Sequence, residues 1–99
     1  MTHFFAVVAT PRFGRLLRSL GKRHLDLTDR YEEALEILTT DPANRSQQHH
    51  IRKLRGVQPD EGQYRLRLGR WRFRYDIHQR QKEVVLHYCG LRREETYRR

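Results

Sequence analysis

Ninety-nine residues carry 21 Lys and Arg against 12 Asp and Glu, a net charge of +9, with one cysteine among them. These numbers exclude a disulfide scaffold, because Cys89 has no partner in the chain, and no apolar run approaches the ~20 residues of a membrane span. The opening Met1-Thr2-His3-Phe4 lacks the charged-then-apolar layout of a signal peptide, so a cytoplasmic chain is expected. A pI near 10.6 points to a polyanionic partner, with nucleic acid first.

In chain order, residues 4–9 (FFAVVA) read as a short buried strand. Thr10-Pro11 then marks a helix start, a hydroxyl cap followed by proline at the first helical position. Phe13, Leu16, Leu17 and Leu20 fall at i, i+3, i+4 and i+7, one apolar face, and Gly21 is placed to end the helix. A second helix is expected from Thr28 to about Thr39, with Tyr31, Ala34, Leu35 and Leu38 at the same spacing. Asp41-Pro42 closes it, and residues 43–62 read as a polar connection that includes His49-His50.

Beyond that connection the apolar period changes from helical to alternating. Residues 63–68 and 71–78 read as strands joined at Gly69-Arg70, and 83–89 as a third, followed by a charged tail from Gly90. Only Tyr97 breaks that tail's polar character as an aromatic residue. The expected architecture is one α+β domain over residues 1–99, a two-helix hairpin on a mainly antiparallel four-stranded sheet in the order β-α-α-β-β-β.

The charge is concentrated toward the end of the chain. Residues 1–51 hold 7 Lys/Arg and 6 Asp/Glu, whereas residues 52–99 hold 14 and 6. Alternation sorts the central strands by face. Tyr64, Leu66 and Leu68 share a face with Trp71, Phe73, Tyr75 and Ile77; Arg65 and Arg67 share the other with Arg72, Arg74, Asp76 and His78. A two-residue turn with glycine first suits type II′ and sets Arg67 across from Arg72 and Arg65 across from Arg74. Like charges directly opposite in a sheet cost roughly 0.2–1 kcal/mol per pair. A solvated outer face is the plain explanation of such a surface. An anionic ligand explains better why four arginines are placed together with no acid before Asp76, because arginine grips phosphate in a planar fork.

Other chemistries find little support. No histidine or cysteine spacing matches a zinc motif, no glycine-rich phosphate loop is present, and Cys89 reads as a small buried hydrophobe. Neither a metal nor another cofactor is expected. Metal-free phosphoryl chemistry on RNA remains, since RNA carries its own 2′-hydroxyl nucleophile and arginines stabilise the charged transition state. Arginine cannot serve as the base, so a tyrosine such as Tyr97 or a histidine must.

The segments KLRG (53–56), YRLRLGRWRFRY (64–75) and CGLRREETY (89–97), with Thr10-Pro11 and the two helices before them, resemble the RelE/ParE superfamily of bacterial toxin–antitoxin toxins. The resemblance implies a RelE-like fold and, for the RelE-like branch, cleavage of mRNA on the ribosome by 2′-hydroxyl attack without a metal. It assigns Arg65, Arg67, Arg72, Arg92 and Tyr97 to the catalytic positions, with Arg93 an alternative match to Arg92, and implies RNA contacts from Arg52, Lys53, Arg55, Arg74 and Arg93. It further implies a cognate antitoxin as partner and operator DNA bound through that antitoxin. The ParE-like branch, which inhibits DNA gyrase without nuclease activity, is the alternative, and a non-catalytic RNA-binding module is another.

Overall fold

A computed structural model of the chain describes residues 4–92. Strand β1 (Ala6–Ala9) leads into helices α1 (Pro11–Arg23) and α2 (Asp26–Thr40), followed by strands β2 (Ile51–Lys53), β3 (Tyr64–Leu68), β4 (Trp71–His78) and β5 (Glu83–Leu91). The sheet order is β1-β5-β4-β3-β2; β1 runs parallel to β5 and every other pair is antiparallel.

Helix α1 begins as its sequence dictates. The Thr10 hydroxyl accepts from the Phe13 amide at 3.1 Å, and Pro11 occupies the first turn, where no amide donor is missed. Gly21 does not end the helix. It runs on to Arg23 and is capped by the His24 amide on the Leu20 carbonyl, with Lys22 and Arg23 placed against the negative end of the helix dipole. Replacing Thr10 with alanine is expected to lower stability by about 1 kcal/mol, read as a shift of the urea midpoint at constant slope.

Both helices lie on one face of the sheet. Phe13 and Leu20 of α1 and Leu27, Ala34 and Leu38 of α2 form a single core with Leu66, Leu68, Trp71, Phe73, Tyr75, Val84, Leu86 and Cys89. The burial of Cys89 agrees with its reading as a small hydrophobe, and burial pushes its thiol up to about 12. The Tyr75 hydroxyl donates to the Pro42 carbonyl at 2.7 Å, which ties the end of α2 to the sheet.

Three strands differ from expectation. β1 is an exposed edge rather than a buried strand, with Val8 42% exposed, because it has a neighbour on one side only. The stretch expected to be wholly polar connection contains a fifth strand, β2, in which Ile51, Arg52 and Lys53 pair with Leu66, Arg65 and Tyr64. β5 continues through Gly90 to Leu91, two residues past its expected end.

The hairpin of β3 and β4 has the expected register: Leu68 pairs with Trp71, Arg67 with Arg72, and Arg65 with Arg74. Gly69 takes φ +62° in the turn, as its first position requires. Arg70 beside it closes an ion pair with Asp26 at 2.9 Å, and the Trp71 indole donates to the same carboxylate at 2.9 Å. Hydrogen bonds from Arg70 and then Trp71 hold the Asp26 carboxyl well below the usual range, so the hairpin tip is moored to the start of α2.

Candidate nucleic-acid interface

The sheet face turned away from the helices carries the arginines. Strand alternation and register place Arg52, Arg65, Arg74 and Tyr88 in one cross-strand row and Arg67, Arg72 and Gly90 in the next. The Arg67 amide donates to the His50 carbonyl at 2.9 Å, which extends the second row past β2. Directly opposed residues in such rows have Cβ atoms ~4.5–5.5 Å apart, so the cations crowd one another. A phosphate laid across these rows would offset the crowding.

Arg72 is the most enclosed of the set, 6% exposed in the middle of the sheet. Its partner across β5 is Gly90, where a Cβ would collide with the Tyr88 ring and hydroxyl. The absence of a side chain at position 90 therefore lets Tyr88 fold across the row that holds Arg72. The Arg12 guanidinium at the start of α1 stacks over the same tyrosine, 5.4 Å from the ring centroid. His49, His50, Ile51, Arg52, Arg65 and Arg67 line a cleft of about 240 Å³ at the β2 side.

Arg74 is differently employed. Its guanidinium donates to the Gly62 carbonyl at 3.0 and 3.2 Å and to the Glu61 carbonyl at 3.2 Å, and so holds the loop before β3. The same loop is fixed from the other side by Asp76, 4% exposed, which accepts from the amides of Gly62 at 3.1 Å and Gln63 at 2.9 Å.

Of the residues singled out in the sequence, the fold brings together Arg52, Arg65, Arg67, Arg72 and Arg74. Lys53 lies opposite Tyr64 and over its ring at 5.7 Å, which puts it on the other face of β2 from Arg52. Arg55 is exposed in the turn before Gly56. Arg92 is exposed at the end of β5, its amide bonded to the Arg70 carbonyl at 3.0 Å beside the hairpin turn. Arg93 and Tyr97 lie outside the described residues.

The fold also adds residues that sequence reasoning missed: Arg12, His50, His87 and Tyr88. The last two reach this face through a β-bulge. Tyr75 pairs with Leu86 and Arg74 with Tyr88, which leaves His87 as the extra residue. The sequence does carry a trace of the bulge, since the apolar core positions of β5 run 84, 86, 89 and 91, a step of three inside a period of two.

Chemically, the face offers fixed cations for a phosphate and its developing charge, with imidazole and phenol groups as the proton carriers that guanidinium cannot be. Among the described residues no group of three His, Cys, Asp or Glu side chains is placed to hold a metal ion. No described helix is long and apolar enough to cross a membrane.

No family model matches the chain, and no curated relative matches it either. Solved structures do. The archaeal RelE-RelB complex from Pyrococcus horikoshii OT3 contains a chain of 26% identity that superposes with a TM-score of 0.67, covering 90% of this chain and 96% of that one. The toxin-antitoxin complex RelBE2 from Mycobacterium tuberculosis contains one of 21% identity with a TM-score of 0.60, over 93% and 94% of the two chains. Over nine-tenths of its length the chain thus has the RelE-like fold.

Proposed function

We propose that this chain is the toxin of a toxin–antitoxin pair and acts as an endoribonuclease on mRNA, on the ribosome, by metal-independent attack of the RNA 2′-hydroxyl. The observation that carries the proposal is the pair of facing rows on the open sheet, Arg52, Arg65 and Tyr88 beside Arg67, Arg72 and Gly90. Arg65, Arg67 and Arg72 hold the scissile phosphate and stabilise its extra charge, and Arg92 approaches from the end of β5. Tyr97 is the proton-transfer or base-stacking residue that the family resemblance assigns. Arg52 extends the phosphate track toward β2, and Lys53, Arg55 and Arg93 add general attraction around it. The partner is a cognate antitoxin that covers the basic face and through which operator DNA is bound, as the structural neighbours are themselves complexes with antitoxins. The site of action is the cytoplasm, where mRNA and ribosomes meet.

The test is induction of the protein in cells with mapping of mRNA 5′ ends. Cuts inside translated frames are expected. A DNA-damage response without cuts would identify a gyrase inhibitor instead, and RNA binding with neither outcome would leave a non-catalytic module. Binding of the purified protein to single-stranded RNA should be steeply salt dependent. With about five phosphate contacts, affinity is expected to fall about a hundredfold between roughly 50 and 200 mM salt; a flat response in a filter-binding titration would remove the arginine face from the reaction.

A further inference from the structure

We propose that His87, oriented by Asp76, is the general base that takes the proton from the attacking 2′-hydroxyl; this rests on the nuclease reading above. The arginine rows supply charge but no proton acceptor, and His87 is the titratable residue that the fold turns out of register to meet them. At the bulge it is inserted between Leu86 and Tyr88, next to the row of Arg74 and Arg65. Bulges re-aim a side chain at the cost of a ladder position, and here the re-aimed side chain is an imidazole.

Its setting has the parts of an acid–base dyad. His87 Nε2 lies 2.8 Å from Asp76 Oδ2. That nitrogen is buried and meets no acceptor in aligned hydrogen-bond geometry, so the contact is chiefly one of charge. Asp76 cannot swing away, because the Gly62 and Gln63 amides hold its two oxygens. A buried carboxylate fixed in this way stabilises the imidazolium that forms when a proton arrives. With Nε2 facing Asp76, Nδ1 is the ring nitrogen left for a substrate.

The ring also borders a space of suitable size. Together with Thr10, Arg12, Gly56, Val57, Asp60, Glu61 and Arg74, His87 lines a cleft of about 520 Å³, room for a nucleotide. The charged groups lining it are Arg12 from α1, Asp60 and Glu61 from the loop before β3 and Arg74 from β4, while Asp76 of β4 stands against His87 and Tyr88 of β5 against Arg12. Arg12 and Arg74 add positive charge to its lining. The two loop carboxylates repel phosphate, and as hydrogen-bond acceptors they suit the amino edge of a base.

The step balances without any further reagent than water. The 2′-oxygen forms a bond to phosphorus as its proton passes to Nδ1 of His87. The bond from phosphorus to the 5′-oxygen breaks, and that oxygen takes a proton from water. The products are a 2′,3′-cyclic phosphate and a 5′-hydroxyl end, and the imidazolium returns its proton to solvent.

The experiment is single-turnover RNA cleavage by the full chain, with ribosomes present, over pH 5 to 9, for wild type, His87→Ala and Asp76→Asn, with His24→Gln as a control far from this cleft. Wild type should rise with pH to a plateau, as a step that needs a free base does. His87→Ala should cleave about a hundredfold more slowly with that rise abolished, regain rate on addition of free imidazole, and bind RNA as wild type does. Asp76→Asn should cleave more slowly than wild type, since the imidazolium formed in the step loses its counter-charge. A His87→Ala protein that cleaves at the wild-type rate with an unchanged pH profile, while Arg72→Ala is inactive, overturns the base and leaves the nuclease standing. Loss of rate in His87→Ala without imidazole rescue and with the pH profile intact also overturns it, because that is how a packing role behaves. A wild-type protein that cleaves no RNA overturns the nuclease reading itself.

Discussion

Arg72→Ala is expected to slow RNA cleavage by 10² to 10³, about 2.7–4 kcal/mol of transition-state stabilisation, while RNA affinity falls far less. Two features single out this arginine among its neighbours. It is 6% exposed, so its charge acts through surroundings with little water to screen it. It also sits in the row between Arg67 and Gly90, with the Tyr88 ring folded over the glycine beside it. A preorganised cation of this kind stabilises charge that develops in the transition state and does less for the ground state. Arg72→Lys should recover only part of the rate, since an ammonium keeps the charge and loses the two-pronged grip on phosphate oxygens. Removing the charge relieves the opposition with Arg67 but also strips out a buried side chain, so stability is measured beside rate. Single-turnover kinetics beside a urea titration separates the two effects. A variant that stays folded and cleaves at the wild-type rate would refute the role of Arg72.

The hairpin was the most legible part of the chain because its two faces differ so strongly in chemistry. Tyr64, Leu66 and Leu68 can face only a core, and Arg65 and Arg67 only water or an anion, so a slip of one residue would bury guanidinium groups. Parity and turn length then determine which arginines oppose one another, and the observed register follows. β2 was not legible for the opposite reason. It has three residues, one of them apolar, and takes its conformation from the edge of β3 rather than from its own pattern.

The first half of the chain was misjudged through its sum. Its near-balanced charge hides a separation between two helices: α1 carries Arg12, Arg15, Arg18, Lys22 and Arg23 with no acid, whereas α2 carries five acids and one arginine. Arg12 is thereby delivered to the candidate site by an element whose spacing announced only an apolar face. His87 and Tyr88 were hidden by the bulge, which inverts the parity of β5 halfway along. A strict two-residue period sends Tyr88 to the core and Cys89 to the open face, the reverse of what is found.

The largest expected effect on stability belongs to a charged residue at the margin of the core. Asp76→Ala should cost about 2–4 kcal/mol, more than the loss of one ordinary hydrogen bond. Its carboxylate accepts from the Gly62 and Gln63 amides and faces His87 at 2.8 Å, all at 4% exposure. Truncation leaves those donors without an acceptor in a place that water reaches poorly. Gly62 stands at φ +84° with Arg74 close by, a position that glycine alone fills readily. The loop is thus clamped twice, its amides by Asp76 and its carbonyls by Arg74. Asp76→Asn keeps one acceptor oxygen and should lose roughly half as much, with Arg74→Ala intermediate and less than additive with Asp76→Ala, since both act on one loop. Urea denaturation of wild type, the three single variants and the double variant decides the matter: strictly additive losses would mean that the two side chains hold separate structures. The coupling matters for function as well, because the clamped loop forms one wall of the cleft beside His87, so the interaction that stabilises the fold also fixes the distance across which RNA must fit.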